Sequence, residues 1–258
     1  PEEISHDYTE ATAWQYSYYV PHDVRGLSCL FGGKENLEKK LDSLFIMPFN
    51  IQSAQIPDVT GLIGQYAHGN EPSHHLAFLY SYLGKPWKTQ EKIFEIMHSM
   101  YSNSPDGLSG NEDCGQMSAW FVFNALGFYP VCPGTDEYVF GTPLFTDMKL
   151  NLENGKTFVI KVNRQFMEDK YIREIKLNGE PYNKLYIKHR DIMNGGLLEF
   201  DLSLEPQMEL ITEDSLFPYS LTEKAFTSPP FFRNSRFGFI DSTIIDLTSR
   251  ISNSSLYY

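Results

Sequence analysis

The first half of the chain spaces its apolar residues with the period of amphipathic helices. Residues 34–45 place Leu37, Leu41 and Leu44 along one face and charged residues elsewhere, which predicts a helix packed on a core. Gly84 and Pro86 mark a boundary between helices, because glycine favours the position after a helix end and proline favours the first turn. By the same criteria we predict helices over residues 11–19, 34–45, 73–83, 87–101 and 115–126.

After about residue 141 apolar and polar residues alternate, which is typical of half-buried β-strands. Asn154-Gly155 and Asn178-Gly179 lie between such stretches and predict tight turns. Strands are predicted near residues 149–152, 158–162, 172–177, 187 and 198–202. The predicted fold is mainly α with appended β: a helical unit (residues 1–142), a small β module packed on it (143–220) and a last segment (221–258) that is rich in Pro and Ser and then strand-like.

Composition limits the partners that the chain can bind. Its 258 residues carry a formal net charge of −12, which argues against nucleic acid or an anionic membrane, because phosphate groups are bound by clustered Lys and Arg. No stretch is apolar for long enough to predict a membrane span. Cys29, Cys114 and Cys132 are too few for a disulfide framework, so we expect buried thiols. A neutral sugar or a divalent cation fits this composition better.

Glu10 is the first of three acidic positions that adjoin predicted helices, and it precedes Trp14 by one helical turn. A helix N-terminus stabilises a carboxylate, whereas an apolar ring disfavours it. Glu10 is therefore either an acid placed by the helix dipole or a catalytic acid with a shifted pKa. His22-Asp23 is either a satisfied polar pair in a turn or a pair of ligands for sugar hydroxyl groups.

The second acidic position lies in the segment HGNEPSHH, residues 68–75. The side-chain oxygens of Asn70 and Glu71 suit calcium, which prefers oxygen ligands, whereas zinc would favour the nitrogen of the neighbouring histidines. A metal-free alternative is that Asn70 or Glu71 caps the following helix. All three interpretations stay open at this point.

The third acidic position, Glu112-Asp113, stands on a glycine-flanked loop just before Gln116. One acid suffices to cap the helix, so its neighbour is free to act as a general base. All three positions are surrounded by Gly, Asn, His and aromatic residues rather than by Lys and Arg. Such surroundings can raise the pKa of one carboxylic acid while another stays ionised, as glycoside hydrolysis requires. The sequence thus predicts a carbohydrate-processing site.

Three segments, in the order YTEATAWQYSYYVPHD, GQYAHGNEPSHH and GLSGNEDCGQMSAWFVFNALGFYPVCPGTDEYVFGTP, resemble the glycoside hydrolases of family 92. These enzymes are calcium-dependent exo-α-mannosidases that act with inversion. The resemblance implies that residues 1–142 form the C-terminal part of an (α/α)6 barrel and that the enzyme needs the N-terminal part that precedes it. It also implies Ca2+ as cofactor, an α-mannoside oligosaccharide or N-glycan as substrate, and a bacterial protein that is periplasmic or secreted.

Matched position by position, the resemblance implies that Glu10 is the general acid and that Asp113 or Glu112 is the general base. In an inverting enzyme the acid and the base stand about 6.5–9.5 Å apart, with room for water between them. The residues implied to hold calcium are Asn70, Glu71 and Asp113. The residues implied to line the mannose site are Trp14, His22, Asp23, His68 and Gln116.

The chain departs from the family pattern at two places. Ala11-Thr12 replaces a common Gly-Asn pair, and Asn111-Glu112 stands where a second Asp is often found, so the base is assigned to Glu112 or Asp113. A non-catalytic glycan-binding module, which would lose nothing on Glu10→Gln, and a helical-barrel carbohydrate enzyme for another sugar are the alternatives. The segment from residue 225 resembles the beginning of the β-sandwich that is appended to some hexosaminidases.

Overall fold

The computed structural model describes residues 7–49, 59–233, 242, 244–250 and 255 of the chain. Helices dominate its first half and strands its second, which confirms that the fold combines helices with appended sheets. The arrangement of these helices in an (α/α)6 barrel stays a prediction. The α-helices are α1 (Ala13–Tyr16), α2 (Val24–Leu30), α3 (Lys34–Ile46), α4 (Leu79–Tyr82), α5 (Pro86–Met100), α6 (Gln116–Leu126) and α7 (His189–Met193).

The long amphipathic helices form where the sequence predicts them. Leu37, Leu41 and Leu44 of α3 are completely buried, and each such burial stabilises the fold by roughly 1.5–3 kcal/mol. Helix α5 starts at Pro86, as predicted. Lys88 of α5 bridges to two acids of α3, with Nζ 2.8 Å from a carboxylate oxygen of each. The two helices therefore join through charge at their rims and through apolar packing below.

The shorter helical segments differ from the predictions. Residues 73–83 do not form one helix, because the chain makes single 3-10 turns at Glu71–Ser73 and Leu76–Phe78 before α4. The helix predicted over residues 11–19 is reduced to the four residues of α1. Helix α2 was not predicted, because it is short and carries Gly26 in its middle.

The described residues form two larger sheets in the second half of the chain and two two-stranded antiparallel pairs, β1 with β2 and β11 with β12. A five-stranded sheet has the order β5-β6-β10-β7-β8, in which β10 runs parallel to β6 and the other neighbours are antiparallel. A three-stranded antiparallel sheet has the order β3-β4-β9. The strands are β1 (Leu62–Ile63), β2 (Tyr66–Ala67), β3 (Phe128–Tyr129), β4 (Glu137–Phe140), β5 (Asp147–Asn151), β6 (Thr157–Asn163), β7 (Tyr171–Leu177), β8 (Glu180–Pro181), β9 (Tyr186–Lys188), β10 (Gly196–Ser203), β11 (Phe231–Phe232) and β12 (Leu247–Thr248).

The core has a helical cluster around Trp120 and a sheet cluster around Phe158 and Phe200, and Phe123 of α6 packs against both. The pairing of β9 with β4 also crosses the predicted boundary at residue 142. The domain limits 1–142, 143–220 and 221–258 stay predictions. Much of the last segment lies outside the described residues, and what is described of it includes the antiparallel pairing of β11 with β12.

Residues 211–226, which we call the strap, return from the sheets to the helices. At one end the amide of Ile211 donates to the carbonyl of Gly84 at 3.1 Å. Farther along, the amide of Tyr219 donates to Oε2 of Glu137 at 2.7 Å. The strap then reaches α2, where its hydrogen bonds end on the first turn of that helix. It thus fastens the β part to the helical part.

Candidate active site

Asn70 ties the Glu10 turn to the loop that carries Glu71. Its Oδ1 accepts the amide hydrogen of Glu71 at 3.0 Å and so caps the following 3-10 turn. Its Nδ2 donates to the backbone carbonyl of Glu10. One buried amide side chain therefore fixes two of the three acidic positions relative to each other.

A close crossing of two glycines brings in the third acidic position. Gly69, just before Asn70, lies against Gly110, and a Cβ on Gly110 would stand 3.2 Å from the Cα of Gly69. A Cβ on Gly69 would collide with the hydroxyl of Thr60. Only glycine lets two backbones approach so closely, and Gly110 also adopts a φ of +90°. The crossing brings the loop of Glu112 and Asp113 next to that of Glu71.

Glu71 is the centre of a group of three carboxyl groups from separate segments. Its carboxyl group forms a hydrogen bond with that of Asp113, and Glu10 is close enough to act on it electrostatically. Burial raises the pKa of Glu71, and the charges of Asp113 and Glu10 raise it further. The structure therefore places the carboxyl groups of Glu10 and Asp113 near that of Glu71, and the catalytic and metal-binding roles of these residues stay predictions.

Two of these three acids lie on a strained backbone. Glu10 has a φ of 54° and Asp113 a φ of 51°, and Cys114 follows with 56°. Side chains other than glycine rarely adopt this left-handed region, at a cost of roughly 1–2 kcal/mol per residue. Such strain concentrates at functional sites. The turn also exposes Cys114, so the prediction of a buried thiol is wrong at that position.

Glu112 is engaged differently from its neighbour Asp113. Its Oε1 accepts the amide hydrogen of Ser118 at 3.0 Å, and its Oε2 accepts the hydroxyl hydrogen at 2.9 Å. Both oxygens of Glu112 thus satisfy the first turn of α6, which has an unsatisfied amide to offer there. Asp113 instead contacts Glu71.

Gln116 lies beside this acidic group and joins it to the protein interior. Its Nε2 is 3.2 Å from Nδ1 of His74 and 3.4 Å from the hydroxyl of Tyr129. Burial lowers the pKa of His74 to about 4, against the opposing effects of the His68 carbonyl and of Asp113. His74 is therefore neutral at physiological pH, and its ring nitrogen can accept a hydrogen bond from the glutamine amide.

His68 is buried behind the acidic group. Its Nδ1 is 2.8 Å from the hydroxyl of Tyr66, and its Nε2 is 2.7 Å from that of Tyr101. Its ring centroid also lies 4.4 Å from that of Trp120. Burial, followed by the nearby His74, holds the pKa of His68 well below its usual range. Both ring nitrogens are used inside the protein, so the structure gives His68 a supporting place under the site.

Trp14 belongs to the helical core, where Nζ of Lys40 lies 3.3 Å from its ring centroid. Its indole nitrogen is buried and has no hydrogen-bond partner among the described residues. The turn that carries it is fixed by Thr12 and Gln15: Thr12 accepts the amide hydrogen of Trp14 at 3.2 Å, and Oε1 of Gln15 accepts from the amide of Thr12 at 2.8 Å. This capping box orients the segment that follows Glu10.

Asp23 is used by the strap. Its carboxylate caps α2 through the amide of Gly26 at 3.0 Å and accepts hydrogen bonds from Ser220 and Thr222 of the strap. The neighbouring His22 is exposed, and its carbonyl accepts from Leu221 at 3.0 Å. The sugar contacts predicted for His22 and Asp23 stay predictions, and the structure shows them joined to the strap.

Glu71, Asp113 and Asn70 carry side-chain oxygens, the type of ligand that calcium prefers. A cation between Glu71 and Asp113 would also relieve the repulsion that raises the pKa of Glu71. Asn70 already uses its Oδ1 on a backbone amide. Among the described residues, no three His, Cys, Asp or Glu side chains converge in a metal-binding cluster. A calcium ion here would need most of its six to eight ligands from water or sugar hydroxyls, and the calcium site stays a prediction.

Two residues of the site were not predicted from the sequence. Tyr129 lies at the start of the β part, and only the fold brings its hydroxyl to Gln116. Tyr19 packs its ring against His75 with centroids 5.5 Å apart. The run of aromatic residues after Glu10 was a signal for Tyr19, whereas no sequence pattern links Tyr129 to the acids.

Comparison with known proteins agrees with this geometry. The sequence profile of the glycosyl hydrolase family 92 catalytic domain matches residues 1–204. An uncharacterized secreted glycosidase of Arthroderma benhamiae is 31% identical over 200 residues, which cover 76% of this chain and 24% of that protein. In the part of the chain that the structure describes, no helix is long and apolar enough to cross a membrane.

Two solved structures from Bacteroides thetaiotaomicron are similar. The family GH92 α-mannosidase BT3965, in complex with mannoimidazole, is 41% identical with a TM-score of 0.79, over 86% of this chain and 30% of that one. The family GH92 inverting mannosidase BT2199 is 39% identical with a TM-score of 0.74, over 84% of this chain and 31% of that one. The chain thus spans less than a third of the length of these relatives. With its ordered motifs, its profile match and its fold, the chain belongs to glycosyl hydrolase family 92.

Proposed function

We propose that the protein of which this chain is the family 92 region removes terminal α-linked mannose from glycans with inversion and with calcium. The observation that carries the proposal is the group of Glu10, Glu71 and Asp113, which three separate loops bring to one place. Two structurally similar proteins are named as mannosidases, one of them as inverting. Membership of the family supports glycoside hydrolysis as the reaction, and the group of three carboxyl side chains supports an acid and base mechanism.

Glu10 acts as the general acid and Asp113 as the general base. The protonated carboxyl group of Glu10 gives its proton to the oxygen of the leaving sugar as the bond from that oxygen to the anomeric carbon breaks. Asp113 takes a proton from a water molecule, whose oxygen forms the new bond on the opposite face of the ring. A single displacement of this kind inverts the anomeric carbon. Asp113 is favoured over Glu112, because both oxygens of Glu112 are engaged by Ser118.

Glu71 and Asp113, with Asn70 beside them, would hold the calcium ion. Calcium supplies a Lewis acid and a template for sugar hydroxyl groups when it is bound. Glu71 itself, near both Glu10 and Asp113, keeps the site negative. That charge favours the positive charge that develops on the sugar ring in the oxocarbenium-like transition state. Gln116 uses both amide hydrogens on His74 and Tyr129, so its carbonyl oxygen is the group that would accept a hydrogen bond from a sugar hydroxyl.

The substrate follows from the same comparisons. An α-mannoside oligosaccharide or N-glycan fits a site that is acidic and lined by tyrosines, and secretion or export to the periplasm would bring the protein to such glycans. The A. benhamiae relative is described as secreted. Because this chain spans less than a third of the mannosidases, we expect activity to need the remainder of the enzyme.

Release of mannose from α-1,2-, α-1,3- and α-1,6-linked mannobiosides tests the proposal, in the 258-residue chain and in the full-length polypeptide, with and without EDTA. We expect calcium-dependent release of mannose by the full-length protein. Glu10→Gln and Asp113→Asn should each lower the rate of release by about 10²–10⁴-fold. The exposed Glu153, in the turn between β5 and β6, gives a matched control variant, Glu153→Gln, which should keep its activity.

Other results would favour the alternatives. Binding of glycans without turnover, unchanged in Glu10→Gln, would indicate a glycan-binding module. Hydrolysis of a different sugar in preference to mannose would indicate another specificity on the same fold. Loss of activity in Glu112→Gln but not in Asp113→Asn would move the general base to Glu112.

A further inference from the structure

Three tyrosines form a row of rings beside the acidic group. The ring centroids of Tyr8 and Tyr16 are 5.4 Å apart, and those of Tyr16 and Tyr19 are 6.3 Å apart. We call these three residues the tyrosine row. The row is not part of the hydrophobic core: Tyr19 is 53% exposed, whereas its neighbour Tyr18 is completely buried. Tyr8 and Tyr16 are half-buried, so Tyr19 is the most exposed ring of the row.

The row is attached through its middle ring to the turn that carries the proposed acid. The hydroxyl of Tyr16 donates to the carbonyl of Thr9, the residue before Glu10, at 3.1 Å. This bond holds the strained turn at Glu10. The ring that it fixes stands in the middle of the row.

At its Tyr19 end the row contacts His75. The ring of Tyr19 meets His75 edge to face, at an angle of 73°. Both Tyr19 and Glu71 lie near enough to Tyr129 to act on its hydroxyl electrostatically: burial first, then these two groups, raise the pKa of Tyr129 to about 12 against the hydrogen bond from Gln116. The row thus extends from the Glu10 turn to His75, which lies in the same segment 68–75 as Glu71.

Exposed aromatic rings with polar edges suit the faces of sugar rings, because each ring offers an apolar surface and a hydroxyl group. Tyrosine also binds at low entropic cost, since few of its bonds rotate. The Glu10 turn lies on the side where the leaving oxygen must receive its proton, so a ring over this row belongs to the leaving group. From this placement we infer that the tyrosine row is the subsite for the leaving-group sugar, with Tyr19 as its main stacking surface. The inference rests on the proposed hydrolysis of mannosides.

The test compares two substrates in the full-length polypeptide. A mannobioside places a sugar in the leaving-group subsite, whereas α-mannosyl fluoride places only a fluoride ion there. We expect Tyr19→Ala to lower the ratio of kcat/KM for the mannobioside to kcat/KM for the fluoride about tenfold, or ~1.4 kcal/mol of transition-state stabilisation. Tyr19→Phe keeps the ring and should keep the ratio.

Tyr219→Ala is the matched control, because Tyr219 is similarly exposed but lies on the strap. Tyr8→Ala removes a ring at the opposite end of the row and should lower the ratio about threefold. Because it is a second, independent variant, the inference can still be tested if Tyr19→Ala fails to fold. An equal fall for both substrates in Tyr19→Ala, or an unchanged ratio in both alanine variants, would overturn the inference. If the unaltered protein hydrolyses neither substrate, the proposed function fails first, and that result is distinguishable from a selective failure of the row.

Discussion

Replacing Asp23 by alanine tests whether one carboxylate fastens the strap to the helical part. Asp23 accepts the amide hydrogens of Gly26 and Thr222 at 3.0 Å, the hydroxyl of Ser220 at 2.8 Å and the hydroxyl of Thr222 at 2.7 Å. Loss of the helix cap costs about 1 kcal/mol. The strap bonds, partly replaced by water in the variant, add about 2 kcal/mol.

We therefore expect Asp23→Ala to lower the free energy of unfolding by about 3 kcal/mol, which corresponds to a fall in Tm of about 8 °C for a chain of this size. Asp23→Asn keeps an oxygen for the two amides and for Ser220, so it should cost about 1 kcal/mol or less. Urea unfolding, followed by circular dichroism, measures both variants. A double-mutant cycle with Thr222→Ala isolates the part due to the strap.

The pH dependence gives an independent check. Burial raises the pKa of Asp23, but the hydrogen bonds from Thr222, Gly26 and Ser220 outweigh it and hold the pKa below its usual range. The stabilisation by Asp23 is therefore present above the pKa of the unfolded chain and is lost as the pH falls through the lower folded value. The reasoning is refuted if Asp23→Ala costs no more than the helix cap, or if it raises KM for mannoside while leaving stability unchanged, as a sugar ligand would.

Three further predictions concern the site. Because burial and nearby acids raise the pKa of Glu71, the protein without calcium should lose stability as the pH rises from the usual glutamate pKa to the higher pKa of the folded state. Glu71→Gln should remove this loss in urea titrations at several pH values, and an equal change of unfolding free energy with pH in both proteins would contradict the prediction. Glu112→Ala should lower the free energy of unfolding by about 1 kcal/mol, and by less when Ser118 is already replaced by alanine. An equally large effect in the Ser118→Ala protein would show that Glu112 does not act by capping the helix. His68→Ala should lower it by about 3 kcal/mol, because it leaves a cavity and unpaired hydroxyls, and a change below 1 kcal/mol in the same assay would show that the burial is not stabilising.

The sequence was sufficient for elements whose own pattern determines them. Helices α3 and α5 carry a long apolar stripe, and the strands from β5 to β10 alternate between turns of Asn and Gly, so their positions follow from local rules. Helix α2 escaped prediction, because it is short and contains Gly26, and because part of its stabilisation comes from strap residues about two hundred positions away that bond to its N-cap Asp23. The segment 71–83 breaks into short turns, because its polar side chains bond to the backbone of other loops.

The acidic residues near the site could be predicted from the sequence, but the different hydrogen bonds that each of them makes could not. The order of the motifs grouped Glu10, Glu71 and Asp113, whereas the hydrogen bonds of Glu112 to Ser118 depend on the geometry of one helix turn. The left-handed backbone at Glu10 has no signature in residue type, because glutamate rarely adopts it, whereas aspartate, as at Asp113, tolerates it more often. Contacts between distant segments decide both features.

The anomeric configuration of the first product tests the central claim most directly. Proton NMR during hydrolysis of an α-mannobioside by the full-length protein distinguishes β-mannose from α-mannose before they interconvert. A single displacement by water, with Glu10 as acid and Asp113 as base, predicts β-mannose as the first sugar released from the non-reducing end. Initial release of α-mannose would contradict the account, since it would require a covalent intermediate and a different role for Asp113.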